Sequence, residues 1–492
     1  GLSAQFAAAG LRLGRLKTGT PPRIEARSID FGRTEVQPGS RVPLWFSFEP
    51  PADETWRVQP PAPWYPEVVT DGWRVQMPCY SVRTNGATHA AIRANLHRAP
   101  MFNGLIEGTG PRYCPSIEDK IVRFAEKDAH PLFLEPEGFT TASVYVQGAN
   151  TSLPEDVQDA VLRTIPALAA VKVLRYGYAV EYDFVPPDQT TSWLECKRLP
   201  GLFLAGQING TSGYEEAAGQ GLIAGINAAL AAGPSAGSGT APPNGASTNG
   251  AAAALETTSS TAATLDRLTA SNRLVLPRDL AYIGVMIDDL TTTEHREPYR
   301  LHTSRAEYRL LLRQDTAHFR LTPIGYRLRL IGREVYERTE RQRDQVATVL
   351  QQVRGKGLGA APELNARLRA AGLPPVTKST MALAYLRRPE VGAVALAALG
   401  WEDVPPEIAD HVLTEIKYEG FIARQAQAVA RTRQLEHHCI PDRVDYQVLR
   451  GLRTEAQEQL SRFRPATVGQ AARIAGVTPA DISVLLVHLH AS

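Results

Sequence analysis

The chain has 492 residues, of which 43% are hydrophobic and 21% charged, with a formal net charge of +2. At about 100–200 residues per domain this length suggests about three domains with ample core, and the balance excludes a disordered chain and a polycation. Four cysteines (Cys79, Cys114, Cys196, Cys439) lie far apart with no CxxC, zinc spacing or disulfide framework, which points to a reducing compartment, and no apolar run reaches the ~18 residues of a membrane span.

The first 23 residues read GLSAQFAAAGLRLGRLKTGTPPR, with no initiator Met, no signal h-region and no Arg-rich transit segment. The chain reads as a fragment that starts inside a folded element. Leu11 to Leu16 is expected as a strand entering a Gly/Pro loop, Lys17 to Arg23. Residues 38–66 hold eight prolines, expected to form an excursion loop. Residues 110–230 alternate strand and helix patterns, an α/β signature. Ser143 to Gln147 has period two. Ser152 to Glu155 is S-x-x-E, expected to box the start of a helix over Asp156 to Ile165. Val171 to Val185 reads as strands and Leu202 to Ala205 as a buried strand.

Within this region, Gly110-Pro111-Arg112-Tyr113-Cys114-Pro115-Ser116-Ile117-Glu118-Asp119-Lys120-Ile121-Val122-Arg123-Phe124 contains Ser116 and Asp119 at capping-box spacing. Cys114 then stands beside a helix start with Arg112 and Lys120 near in sequence, a setting that favours thiolate. A buried, inert cysteine is the alternative. Further on, an apolar stretch runs into Gly206, Gln207, Gly210, Thr211 and Gly213 and then into a small-residue helix. Such glycines permit positive φ and close backbone approach to a ligand. The helix start offers N–H groups to an anionic or electron-rich group. A structural turn is the alternative.

Residues 231–254 consist of Ala, Gly, Ser, Thr, Pro and Asn, with a Leu only after them, and read as a tether. Three divisions follow: an α/β part over 1–230, a linker over 231–268, and a helical part over 269–492. Helices are expected at Ser304 to Arg313, Gly332 to Gln351, Glu407 to Glu436 and in the tail. From Arg296 to Arg343 there are twelve Arg, no Lys and six acids. This is either a solvated helical face or a phosphate-binding one. Arg305, Arg309 and Arg313 at i, i+4, i+8 would share a stripe, facing either phosphates or acids. In the tail, a helix is expected to stop at Gly476 and another to start with Thr478 as N-cap, Pro479 at N1 and Asp481 at N3. This fits a helix–turn–helix or a packing hairpin.

Taken together, six strings resemble the MnmG/GidA family of tRNA wobble-uridine modification enzymes. They are Leu13 to Arg23, Pro111 to Lys120, Ala205 to Ala218, Tyr299 to Arg313, Lys417 to Gly420 and Gly469 to Leu486. The resemblance implies an α/β flavoprotein part, with incomplete two-dinucleotide-binding Rossmann-like domains, followed by an all-α C-terminal domain. It implies FAD, NADH and methylenetetrahydrofolate as carbon donor, tRNA as substrate, an MnmE-type GTPase partner and a homodimer, and no membrane. By the same carry-over, Ser3, Gly206, Gln207, Gly210, Thr211 and Gly213 contact flavin, and Gly110 to Phe124 meets the nicotinamide nucleotide. Cys114 is catalytic. Separately from the resemblance, the shared stripe of Arg305, Arg309 and Arg313 is expected to contact tRNA phosphates. The family's N-terminal GxGxxG is not in this sequence. The alanine-rich insertions point to an organelle protein (mitochondrion or plastid) if eukaryotic, and a bacterial chain would be cytoplasmic. Two other readings are a TrmFO-like folate-dependent methyltransferase, which lacks a long helical C-terminus, and a non-catalytic tRNA- or GTPase-binding module.

Overall fold

The computed structural model describes residues 1–39, 62–66, 77–106, 108–110, 115–233, 272–436, 438–441 and 443–491. Cys114 with its neighbours Pro111, Arg112 and Tyr113, most of the proline-rich stretch and nearly all of the tether lie outside the described residues. Two compact units interleave along the chain. The first comprises Gly1–Pro187, Ala205–Ala218 and Glu294–Arg300; the second Asp188–Leu204, Gly219–Thr293 and Leu301–Ser492.

In the first unit, helix α1 (Leu2–Ala8) precedes strands β1 (Gly14–Gly19), β2 (Arg23–Glu25), β3 (Glu35–Gln37) and β4 (Cys79–Arg83). Then come α2 (Gly86–Asn95), α3 (Ile117–Arg123), β5 (Pro131–Pro136), β6 (Ser143–Gln147), α4 (Glu155–Arg163), β7 (Val173–Arg175) and β8 (Ala179–Phe184). Strands β3-β4-β5-β6-β2-β7 form one six-stranded sheet, and β1 pairs with β8 in a separate ribbon. Alternation decides the packing. Leu132 and Leu134 of β5 and Val144 and Val146 of β6 are buried, and their neighbours in sequence are less so. They meet Ile92 of α2, Ile117 and Ile121 of α3 and Val157 and Leu162 of α4 in one core.

Several local expectations change here. The strand expected at Leu11 to Leu16 starts at Gly14 and runs through to Gly19. The sheet pairings are antiparallel, so the parallel pairing of a Rossmann unit is confined, among the described residues, to the isolated bridges Leu16↔Thr109 and Thr211↔Tyr299. The box at Ser152 does not form, because the Ser152 N–H donates to Glu118 Oε1 at 2.9 Å and Pro154 takes the N-cap position. Ser116 does cap α3: its Oγ accepts from the Asp119 N–H at 3.1 Å and donates to the Asp119 carboxylate. Leu202 to Ala205 forms no strand. Phe203 only bridges Glu195, and the Leu204 N–H donates to the Leu194 carbonyl.

Helix α5 (Tyr214–Ala232) extends past the expected start of the tether at residue 231. In the second unit, α6 (Tyr282–Thr292) and α7 (Ala317–Arg327) precede α8 (Arg333–Gly355), whose N-cap is Gly332. Short helices α9 (Pro362–Ala370), α10 (Ala382–Leu386) and α11 (Val394–Ala398) follow, then the 31-residue α12 (Pro406–Glu436). The tail holds α13 (Thr454–Phe463), α14 (Val468–Arg473) and α15 (Pro479–Ala491). One core joins α8, α9, α10, α11 and the start of α12, and another gathers Leu460, Phe463, Val468, Ile482 and Leu485. Among the described residues no helix is long and apolar enough to cross a membrane.

Ser304 to Arg313 is not a helix. Thr303–Arg305 is a single 3-10 turn, and the chain continues in turns to Leu312. Some of its polar backbone groups are taken by other parts of the chain. The N–H groups of Leu310 and Leu311 donate to Gln425 Oε1 at 3.1 and 3.3 Å, and Arg278 donates to the Arg305 carbonyl at 2.9 Å. A helical ladder would leave those tertiary partners unsatisfied. The common arginine stripe therefore does not exist.

Candidate functional site

The β1–β8 ribbon is where the separate motifs meet. On one side, the Lys17 N–H donates to the Thr109 carbonyl at 3.1 Å, so residues 108–110 run along β1 and bring Gly110 against the Lys17 side chain. Gly108 sits at φ +121, and a Cβ there would stand 2.9 Å from the Arg15 carbonyl oxygen. Beyond the undescribed residues, α3 is tied back to the end of the ribbon. The Ile117 N–H donates to the Asn150 carbonyl at 2.7 Å, and Asn150 Nδ2 donates to the Gly19 carbonyl at 2.9 Å.

Within Gly110 to Phe124, Ile117, Glu118 and Ile121 are buried, so their side chains hold the fold. Val122 and Phe124 are exposed. Glu118 Oε1 accepts from the Thr151 hydroxyl and the Ser152 N–H. Burial pushes its carboxyl up from the usual range, against those hydrogen bonds.

On the other side of the ribbon stands the glycine loop. Gly206–Asn209 forms a 3-10 turn that ends on Gly210 at φ +87. Strand β8 and the residue after it hold this turn: the Val185 N–H donates to the Ile208 carbonyl at 2.8 Å, and the Tyr182 hydroxyl reaches the Thr211 carbonyl at 3.4 Å. A Cβ on Gly210 would stand 2.8 Å from Pro187 Cγ. Gly206 and Gly213 also have positive φ, and nothing lies within 4 Å of where a Gly213 Cβ would be. Tyr214 opens α5 at φ +60, an unusual conformation for a bulky residue.

Sequence reasoning missed the segment that closes the loop. The Tyr299 N–H donates to the Gly210 carbonyl at 2.8 Å. Arg300 lies 4.7 Å above the Tyr214 ring and 3.4 Å from Glu216. A separation of 84 to 89 residues carries no local signal for this. Glu215 and Glu216 already put negative charge in the first turn of α5. A neutral polar edge fits that helix start better than a phosphate does. Gln207 is exposed, and its Nε2 donates to the Ser212 carbonyl at 3.1 Å.

Ser3 joins the same ribbon from α1. Its hydroxyl hydrogen-bonds Asp183 of β8, and this bond, ahead of the nearby Arg15 guanidinium, holds the Asp183 carboxyl below its ordinary value. The ribbon thus gathers Ser3, Gly110 and the Gly206 to Gly213 loop. The positive-φ glycines, the open space at Gly213 and the exposed amide fit a planar polar ring such as flavin.

Comparison with known proteins bears on this arrangement directly. Residues 1–235 match the family described as "Glucose inhibited division protein A". Residues 333–426 match "tRNA modifying enzyme MnmG/GidA C-terminal helical domain", and 428–492 match the family's "C-terminal helical bundle". The tRNA uridine 5-carboxymethylaminomethyl modification enzyme MnmG of Chloroflexus aurantiacus is 51% identical over 99% of this chain and 70% of its own length. The enzyme of the same name from Bacillus licheniformis is 44% identical over 99% of this chain and 69% of its own. The chain belongs to the MnmG/GidA family.

The structure of GidA from Aquifex aeolicus, 38% identical, superposes with a TM-score of 0.78 over 99% of this chain and 69% of that one. The α/β part followed by helical domains is the MnmG/GidA architecture, and the family's members are tRNA uridine modification enzymes. The helical matches leave no support for a TrmFO-like reading, which lacks that C-terminus. The named relatives are bacterial, which gives the organelle alternative no support.

The three arginines assigned to tRNA part company in this MnmG/GidA chain. Arg313 is largely buried, 2.7 Å from Glu415 and 3.1 Å from Asp315. Arg305 lies 3.5 Å from Asp289. Arg309 is exposed and makes no ion pair among the described residues.

Proposed function

We propose that this chain carries out flavin-dependent modification of tRNA, adding an aminomethyl-type group to C5 of the wobble uridine with an MnmE-type GTPase as partner. The observation that carries the reading is the convergence of Ser3, Gly110 and the Gly206 to Gly213 loop on one ribbon, in a chain of the MnmG/GidA family. FAD, when bound, would supply the redox chemistry that takes the carbon from methylenetetrahydrofolate, with NADH as reductant. Gln207 and the backbone of Gly206 to Gly213 would hold the flavin ring edge. Gly110 to Phe124 would lead the nicotinamide nucleotide toward it.

Cys114 is the group proposed to act on the base, through thiolate addition to uridine C6, which makes C5 nucleophilic, or through removal of the C5 proton. The other cysteines are less suited. Cys196 is buried, and burial raises the thiol of Cys79. Cys439 is exposed, away from the ribbon in sequence, and serves as a reference thiol. Cys114→Ser should abolish formation of the modified nucleoside, read by mass spectrometry of digested tRNA, and leave tRNA affinity near wild type. Full activity in that variant would overturn the assignment.

A further inference from the structure

In the second unit, the middle of α12 presents two aromatic rings to solvent: Tyr418 is 44% and Phe421 54% exposed. Their centroids are 6.5 Å apart, and the Arg424 guanidinium lies 4.6 Å above the Phe421 ring. Phe421, Arg424 and Arg431 fall at i, i+3 and i+10, so they share a helical face. The turn that carries Arg309 docks beside this face. Gln425 of α12 accepts from the N–H groups of Leu310 and Leu311, and the Tyr308 hydroxyl meets Thr432 Oγ1 at 3.0 Å.

Charge decides what such a surface takes. Arg309, Arg424 and Arg431 are exposed and make no ion pair among the described residues. The bordering acids are already engaged, Glu419 by Arg354 and Arg387, and Glu307 by Arg278. Three uncompensated guanidiniums around two bare rings suit a polyanion that also offers flat π faces. Paired RNA exposes phosphates but hides its base faces in the stack, whereas an unpaired loop offers both.

We propose that Tyr418, Phe421 and Arg424, with Arg309 and Arg431, form a stacking surface for unpaired nucleotides of the RNA substrate. It rests on the tRNA reading above and deepens it. The rings stack on bases, and the arginines contact the phosphates alongside.

The test measures affinity of the full chain for an anticodon stem–loop and for a fully paired RNA of equal length, across salt. Phe421→Ala should weaken the stem–loop by about fivefold to a hundredfold and leave the duplex and the salt slope unchanged. Phe421→Leu should lose as much, because it keeps apolar bulk without a ring to stack, and Phe421→Trp should restore binding. Arg309→Ala and Arg424→Ala should each flatten the salt slope by about 0.7 unit. Equal losses on both RNAs, or none in any ring variant, would overturn the stacking surface while leaving the tRNA reading intact. A wild-type chain that binds neither RNA would overturn both. Retained binding in Phe421→Leu together with a change of sedimentation coefficient in Phe421→Ala would assign the rings to a second copy of the chain instead.

Discussion

Gly210 links sequence to site through backbone geometry alone. Its φ of +87 puts it in the left-handed region, and its missing Cβ lets Pro187 approach. An L-residue there costs roughly 1–2 kcal/mol from conformation before the clash is counted. Gly210→Ala should therefore lower the melting temperature clearly. Gly213 differs, because its φ of +130 also strains a substitution but the space beside it is open. If flavin uses that space, Gly213→Ala should lower flavin occupancy, read by absorbance, with a smaller loss of melting temperature than Gly210→Ala. Equal melting losses with unchanged occupancy would mean that the loop is only a structural turn. Such glycines are legible in sequence as candidates, because few residues tolerate positive φ. The partner that makes one of them obligatory, Pro187, is not.

At the scale of elements, legibility followed locality. Helices α8 and α12 are readable from their helical pattern and the start of α15 from its cap, because both signals lie within a few residues. At α15 the box is complete: Thr478 N–H and hydroxyl both donate to Asp481 Oδ2, at 2.8 and 2.6 Å, and the Asp481 N–H donates to Thr478 Oγ1 at 3.4 Å. The structure adds Arg453, whose Nη2 lies 2.7 Å from the same carboxylate. Arg453, more than the cap bonds, holds the Asp481 carboxyl well below the usual carboxylate range. A depressed carboxyl contributes stability that is present above its unfolded value of 3.8 and lost as pH falls through its folded value. Asp481→Ala should cost about 1–2 kcal/mol near neutral pH. It should also remove part of the acid-side fall in stability below pH 3.8, read by denaturant melts across pH. A variant as acid-sensitive as wild type would place the titration elsewhere. Ser152 and Ser304 carry the same S-x-x-E signal and form no box. In one case Glu118 captures the serine; in the other Gln425 and Arg278 take the backbone of the segment that follows or contains it. A short motif reports what a segment can do alone, and tertiary hydrogen bonds decide whether it does.

For the whole molecule, the arginines of the second unit separate into two functions that composition could not divide. Arg278 and Arg473 are drawn into acids of α6: Arg278 lies 2.6 Å from Asp289, and Arg473 donates to both oxygens of Asp288 and pairs with Glu436 of α12. That network joins α6, α12 and α14 within the second unit. Arg313 belongs with it in kind, fastening its turn to α12 through Glu415, and the pairing holds its guanidinium charged despite burial. Removing one partner of such a pair leaves a buried carboxylate uncompensated, which costs about 3–5 kcal/mol in full burial and less here, where Glu415 is partly exposed. Arg313→Ala should therefore lower the melting temperature and leave the slope of log affinity for tRNA against log salt unchanged. Arg309, exposed and without an acidic partner among the described residues, should behave the opposite way. Arg309→Ala should leave melting within error and flatten the slope by about 0.7 unit, weakening all tRNAs alike. Arg305 lies between them: it is exposed, yet its guanidinium reaches Asp289 at 3.5 Å, so both readouts should move slightly. Identical behaviour in all three variants would mean that the loss of the helical stripe has no energetic consequence. The arginines would then act as one surface, despite the different partners that the fold gives them.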